Sequence, residues 1–179
     1  HRVDRRQRQM CIRDRENKWG VITKEEYIKA SMYIVNPDGT MFASPESPTE
    51  LNIRGRGNST WRDVVKKPYK LKFLEKTALL GMNKHLTLLP HYLDWWGYLQ
   101  NPVGFRLSEK MGLAYTTHQE PVEVVMNGAY IGIYFLTEQI KVGKNRVNIA
   151  EQNDYETDSL KVTGGWLLEI ENYPDSLSI

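Results

Sequence analysis

Cysteine is almost missing from this chain: Cys11 is the one thiol in 179 residues. A single thiol builds neither a disulfide framework nor a cysteine-based zinc site, and it leaves the redox compartment open. No apolar run is long enough to cross a bilayer as a helix, and no secretory signal is visible at the start. Histidine is scarce, with four residues. His85 and His91 are not spaced as a helical pair, so His85, His91 and Asp94 make a poor metal site. No Gly-x-Ser-x-Gly elbow occurs to support a nucleophilic triad. Gly55-Arg56-Gly57-Asn58-Ser59 is not a Walker-type loop, which needs Gly-x-x-x-x-Gly-Lys-Ser/Thr. No internal repeat is present.

What remains is ordinary in bulk: 40% hydrophobic and 26% charged residues, as in a soluble globular protein of one domain or part of a larger one. Residues 1–15 differ from the rest, with six arginines, two aspartates and the cysteine. They read as a basic arm for nucleic acid or membrane, or as a non-native or disordered leader. The second reading is preferred, because residues 6–15 resemble a translated sequencing adapter. The segment is therefore set aside, leaving 16–179 as the domain. The whole chain has 24 basic and 22 acidic residues; without the leader the balance is 18 against 20. A slightly acidic domain offers no global electrostatic case for nucleic acid.

The organising stretch runs from Arg54 to Phe73. It reads as strand, glycine-bearing loop, strand, and gathers Arg54, Arg56, Lys66, Lys67, Lys70 and Lys72. Gly55 and Gly57 permit a sharp turn or close approach to a ligand. Tyr69, Leu71 and Phe73 alternate with Lys70 and Lys72, so the two sets should face opposite sides of a strand. Exposed N–H groups beside a row of cations suit an oxyanion such as phosphate. The plainer alternative is a solvated strand edge guarded by lysines.

Elsewhere, Thr23 is placed as the cap of a short helix ahead of Glu25 and Glu26. Met32 to Val35 reads as a strand, closed by the turn residues Asn36-Pro37-Asp38-Gly39. Leu86 to Leu89 reads as a buried strand. Trp95, Trp96 and Tyr98 are core or a stacking platform for sugar or base. Asn101 and Pro102 open a helix whose Val103, Leu107 and Met111 share one face, with Gly112 ending it. Pro121–Met126 and Tyr130–Leu136 form a hairpin across Asn127-Gly128, expected to be central and covered on both faces. Glu138 ends that hairpin, exposed or paired, with Lys141 a local partner. Arg146–Ile149 and Trp166–Ile170 read as short strands.

Several blocks resemble one family in order: Arg54-Gly55-Arg56-Gly57-Asn58-Ser59-Thr60-Trp61 with Lys66-Lys67-Pro68-Tyr69-Lys70-Leu71-Lys72-Phe73, then Leu79-Leu80-Gly81-Met82, then Met126-Asn127-Gly128 with Tyr130 to Glu138, and Gly164-Gly165-Trp166-Leu167-Leu168-Glu169. The sequence resembles the CotH family, the spore-coat protein H-like atypical protein kinases. The resemblance implies an α+β fold, a mostly antiparallel sheet with one or two packed helices like a kinase N-lobe, incomplete at the C-terminus. It implies ATP with magnesium or manganese in an intact parent, a protein substrate from a coat or cell surface, and a place at the cell surface, outside the cell or in the spore coat.

For the site, the resemblance implies a strand lysine on the phosphates held by a glutamate. Lys67 or Lys70 fills the first role, with Lys67 matching the motif best. Arg54 or Arg56 assists, and Glu138 is the holding carboxylate. The alternative for Glu138 is a surface ion pair of little energy. The family's Asn-x-Asp and Trp-Asp-x-Asp motifs do not occur here, and the Arg-Asn that commonly follows the aspartate matched by Asp94 is reduced to Gln100-Asn101. The chain is thus expected to be the nucleotide-cradling half, inactive alone, with no catalytic residue or metal ligand of its own. A non-catalytic coat or adhesion module of the same fold is the second reading, and a carbohydrate-binding domain using Trp95 and Trp96 a weaker third.

Overall fold

A computed structural model describes residues 7–15, 22–75, 79–91, 99–153 and 155–168. The chain divides into two units, His1–Gln139 and Ile140–Ile179. In the first unit the strands are β1 (Arg8–Asp14), β2 (Ile28–Val35), β3 (Met41–Phe42), β4 (Thr49–Gly55), β5 (Tyr69–Phe73), β6 (His85–Leu89), β7 (Gln119–Met126) and β8 (Ala129–Glu138). Their order is β1-β7-β8-β6-β5-β4-β2-β3, with β1 also paired to β2. That extra pairing joins the ends of seven strands, and only the two-residue β3 hangs outside the ring. Every pair in the ring is antiparallel except β1 with β7.

Period-two alternation fills the barrel. Met10 and Ile12, Ala30, Met32 and Ile34, Leu51 and Ile53, Leu71 and Phe73, Leu86 and Leu88, Val122 and Val124, Tyr134 and Leu136 all point inward and are buried. Side chains two apart share a face, so each strand offers its apolar half to one common interior. Asn127 and Gly128 take φ values of 50° and 83°, the positive pair that a tight two-residue hairpin turn demands.

The structure corrects the expected architecture. The sheet is a closed barrel, not the open sheet of a kinase-like lobe, and the described residues are mostly β. Arg8–Asp14, within the segment set aside on composition, supply the strand that bridges β2 and β7. The helices are short: α1 (Ser59–Asp63), α2 (Gln100–Lys110) and, in the second unit, α3 (Ser159–Thr163). None of them contains a buried residue. Residues 23–27 form no helix; the Gly55 N–H bonds the Thr23 carbonyl at 2.7 Å instead. Helix α2 forms where expected, but Val103, Leu107 and Met111 remain exposed. The hairpin is central, yet β8 is covered on both faces only over its last five residues.

In the second unit Val142 and Val147 form an isolated bridge, and the Asp158 side chain caps α3 by accepting from the Leu160 N–H at 3.0 Å. Trp166–Leu168 are not in a strand, and residues 169 and 170 lie outside the described residues. So do Asp94, Trp95, Trp96 and Tyr98.

Candidate functional site

The organising stretch builds one end of the barrel and part of its outer face. Strand β4 runs out at Gly55, and the chain crosses through α1 to return as β5. Gly57 holds φ 86°, where a Cβ would collide with Thr60 Oγ1. Glycine is therefore required for the chain to turn into α1. Trp61 folds back over Gly55 and meets Tyr69 edge-on, with ring centroids 6.3 Å apart. Tyr69 in turn lies 6.2 Å from the Tyr134 ring. The three aromatic rings stopper this end. Burial pushes both tyrosine hydroxyls upward in pKa, and Tyr69 adds to the effect on Tyr134.

Two lysines lock the stopper. Lys67 Nζ donates to the Trp61 carbonyl at 2.5 Å and lies 5.6 Å from that ring's centroid. Its own carbonyl accepts from the Tyr134 hydroxyl at 3.1 Å. Lys66 Nζ donates to the Ile133 carbonyl and sits 4.5 Å above the Tyr134 ring. Partial burial lowers the Lys66 ammonium from its ordinary pKa. Gly132, at φ 100°, leaves the space that Lys66 occupies. The lysine block and the hairpin block of the sequence thus meet at the stopper.

The remaining cations divide by strand parity. Arg54 and Lys70 are directly opposite across β4 and β5, on the outer face. Arg54 Nη1 donates to the Lys24 carbonyl at 3.2 Å, and the guanidinium lies 4.7 Å from the Tyr27 ring centroid. Its Nε is buried and finds no hydrogen-bond partner. Arg56 follows Gly55 and is half-buried, which lowers its pKa. Its backbone N–H meets the Pro68 carbonyl at 3.2 Å. A guanidinium keeps its charge at this burial, so the face stays cationic.

Glu138 is elsewhere. It lies opposite Leu86 and points inward, 5% exposed. Its Oε1 accepts from the Asn83 backbone N–H at 3.0 Å and from Asn83 Nδ2 at 2.8 Å. Lys70 is opposite Thr87, so it faces outward while Glu138 faces in. Lys67 lies beside Tyr134, four residues back along β8 from Glu138, or about 13 Å of strand. Arg54 and Lys70 are therefore brought together, Lys66 and Lys67 gather at the stopper, and Glu138 joins neither group. Sequence reasoning missed Asn83 as the partner of Glu138 and Tyr134 as the seat of Lys66. The alternation Tyr134, Leu136, Glu138 was the signal that could have placed Glu138 inward; nothing in the sequence marked Asn83.

His85 is on β6, and His91 stacks edge-on against Phe135 at 4.7 Å. Among the described residues no group of three or more His, Cys, Asp or Glu side chains could hold a metal ion.

A small closed β-barrel with a cationic outer strand pair defines the class of protein by architecture. Its lineage follows from the family comparison: the CotH kinase protein family matches residues 53–175, and this chain belongs to that family. The matched region starts within β4 and takes in all the sequence blocks singled out above. No curated protein matches the chain.

Proposed function

We propose that this chain is the nucleotide-cradling portion of a CotH-like atypical protein kinase, whose intact form transfers the γ-phosphoryl group of ATP to serine or threonine of a partner protein. The observation that carries the reading is the Arg54–Lys70 cross-strand pair on the outer face of the barrel. Like charges directly opposite on a sheet destabilise it. A bound oxyanion would lie against both cations, and guanidinium is well suited to phosphate. In this reading Arg54 and Lys70 face the phosphates and Arg56 adds positive potential. Lys67 acts indirectly, by fixing the loop before β5. Magnesium or manganese, when bound, would neutralise charge on the transferring group.

The test is calorimetric titration of the chain with ATP and magnesium, beside Arg54→Gln and Lys70→Gln. Saturable binding that both variants weaken, by about tenfold each for a lost charge-assisted hydrogen bond, is expected. No binding by a folded sample, or binding indifferent to both variants, overturns the reading and leaves a cationic strand pair of a non-catalytic surface module.

A further inference from the structure

Strand β8 outruns one of its neighbours. β7 flanks it from Ala129 to Thr137, but β6 reaches only Phe135 to Glu138. Among the described residues no strand lies on the β6 side of residues 129–134. That leaves about 20 Å of sheet edge. Water reaches it, since Ala129, Tyr130 and Ile133 are exposed and Ile131 and Gly132 half-buried. Strand parity decides which backbone groups meet the edge. The N–H and C=O of one residue share a side of a strand, and the sides alternate. The Gln139 N–H bonds the His85 carbonyl at 3.1 Å, so the odd-numbered residues at this end of β8 turn both groups toward β6. Counting back in twos, Thr137 and Phe135 lie opposite Thr87 and Leu89. Ile133 comes next, with its groups turned to the open edge.

Lys66 occupies that edge. Its Nζ donates to the Ile133 carbonyl, and its stem crosses Gly132, where a Cβ would stand 3.3 Å from Nζ. The exposed run itself names what the lysine excludes. Ala129-Tyr130-Ile131-Gly132-Ile133-Tyr134 carries no charge and no proline, and four of its six residues are β-branched or aromatic. A segment of that kind, left on an edge, pairs with copies of itself. One edge meets its twin antiparallel about a two-fold axis, so a second copy of this chain is the partner that needs no other sequence. A charge placed on the edge, lysine above all, is how sheets prevent such pairing.

We propose that Lys66 guards the open edge of β8, and that without its charge the chain dimerises by antiparallel pairing of β8 with β8 of a second copy. The inference is independent of nucleotide binding. Its test is sedimentation velocity over a concentration series, with far-UV circular dichroism to show that each protein is folded. The unmodified chain should sediment as a monomer throughout. Lys66→Met keeps an apolar stem over Gly132 but loses the donor and the charge, and should pass to a dimer as concentration rises. Lys66→Ala gives the same reading should the methionine disturb the barrel. Lys66→Arg keeps both donor and charge and should stay monomeric. Adding Ile133→Lys to Lys66→Met puts a new charge on the exposed edge and should restore the monomer. A folded Lys66→Met or Lys66→Ala protein that stays monomeric overturns the proposal. So does a dimer already present in the unmodified chain, or one in Lys66→Met that ignores Ile133→Lys.

Discussion

Replacing Gly55 with alanine should destabilise the barrel through Trp61 alone. A Cβ on residue 55 would stand 2.7 Å from Cζ2 of the Trp61 ring and closer still to two other ring atoms. The ring must move, and it cannot do so without loosening its edge contact with Tyr69. Overpacking of this kind costs about 1–3 kcal/mol. Gly→Ala also restricts the unfolded chain, which returns about 0.4–1 kcal/mol where the backbone suits alanine; Gly55 is a strand residue without positive φ. The net expectation is a loss of about 1–2 kcal/mol, or roughly 2–8 °C in Tm for a chain this long. In a Trp61→Ala background the obstruction is gone and only the unfolded-state term survives, so the same Gly55→Ala change should become neutral or slightly stabilising. Urea denaturation of the four proteins completes the cycle, with a coupling of about 1–3 kcal/mol between the two positions. Equal cost in both backgrounds, within about 0.5 kcal/mol, would refute the assignment of Trp61 as the stopper seated on Gly55.

Glu138→Ala should cost about 2–4 kcal/mol in urea denaturation, because two Asn83 donors lose their acceptor inside the barrel end; Glu138→Gln, which keeps an acceptor oxygen, should cost less than half of that. Stability should also fall at high pH. Tyr134 and Tyr69 both titrate above the ordinary tyrosine value in the folded state, so their contribution is complete below about pH 10, the unfolded value, and is lost as pH rises past it. Unfolding free energies measured from pH 8 to 11 should decline above pH 10, less steeply in Tyr134→Phe, which should also lose about 1 kcal/mol at neutral pH with its hydrogen bond to Lys67.

Local signals in the sequence located most strands. Asn127-Gly128 announced the hairpin, the Tyr69–Phe73 alternation oriented β5 correctly, and Leu86–Leu89 marked β6. The ring closure was not legible, because it depends on a parallel pairing of β1 with β7 that no turn specifies and because arginines around Met10 and Ile12 mask their alternation. The β1–β3 strands also precede the family match, so the motifs carried no information about them. Helix α2 shows the limit of periodicity: Val103, Leu107 and Met111 do share a spacing, but spacing alone does not supply a surface to pack against. Within the candidate site, residue types placed the cations in one stretch. Which of them meet was decided by strand parity, visible for Lys70, and by the path of the α1 crossing, which was not.

The ring closure has a consequence for how the chain comes to be folded. The Asp14 N–H is bonded to Asn127 Oδ1, 113 residues away, so β1 is made long before its parallel partner β7 exists. At about 5–20 residues per second of synthesis that wait is roughly 6–23 s. During it β1 has only β2 beside it, and its other row of backbone donors and acceptors is open to the wrong neighbour. The late, long-range seam should make folding slow for the size of the barrel. It should also make the β1–β7 boundary the first place where backbone amides exchange with solvent.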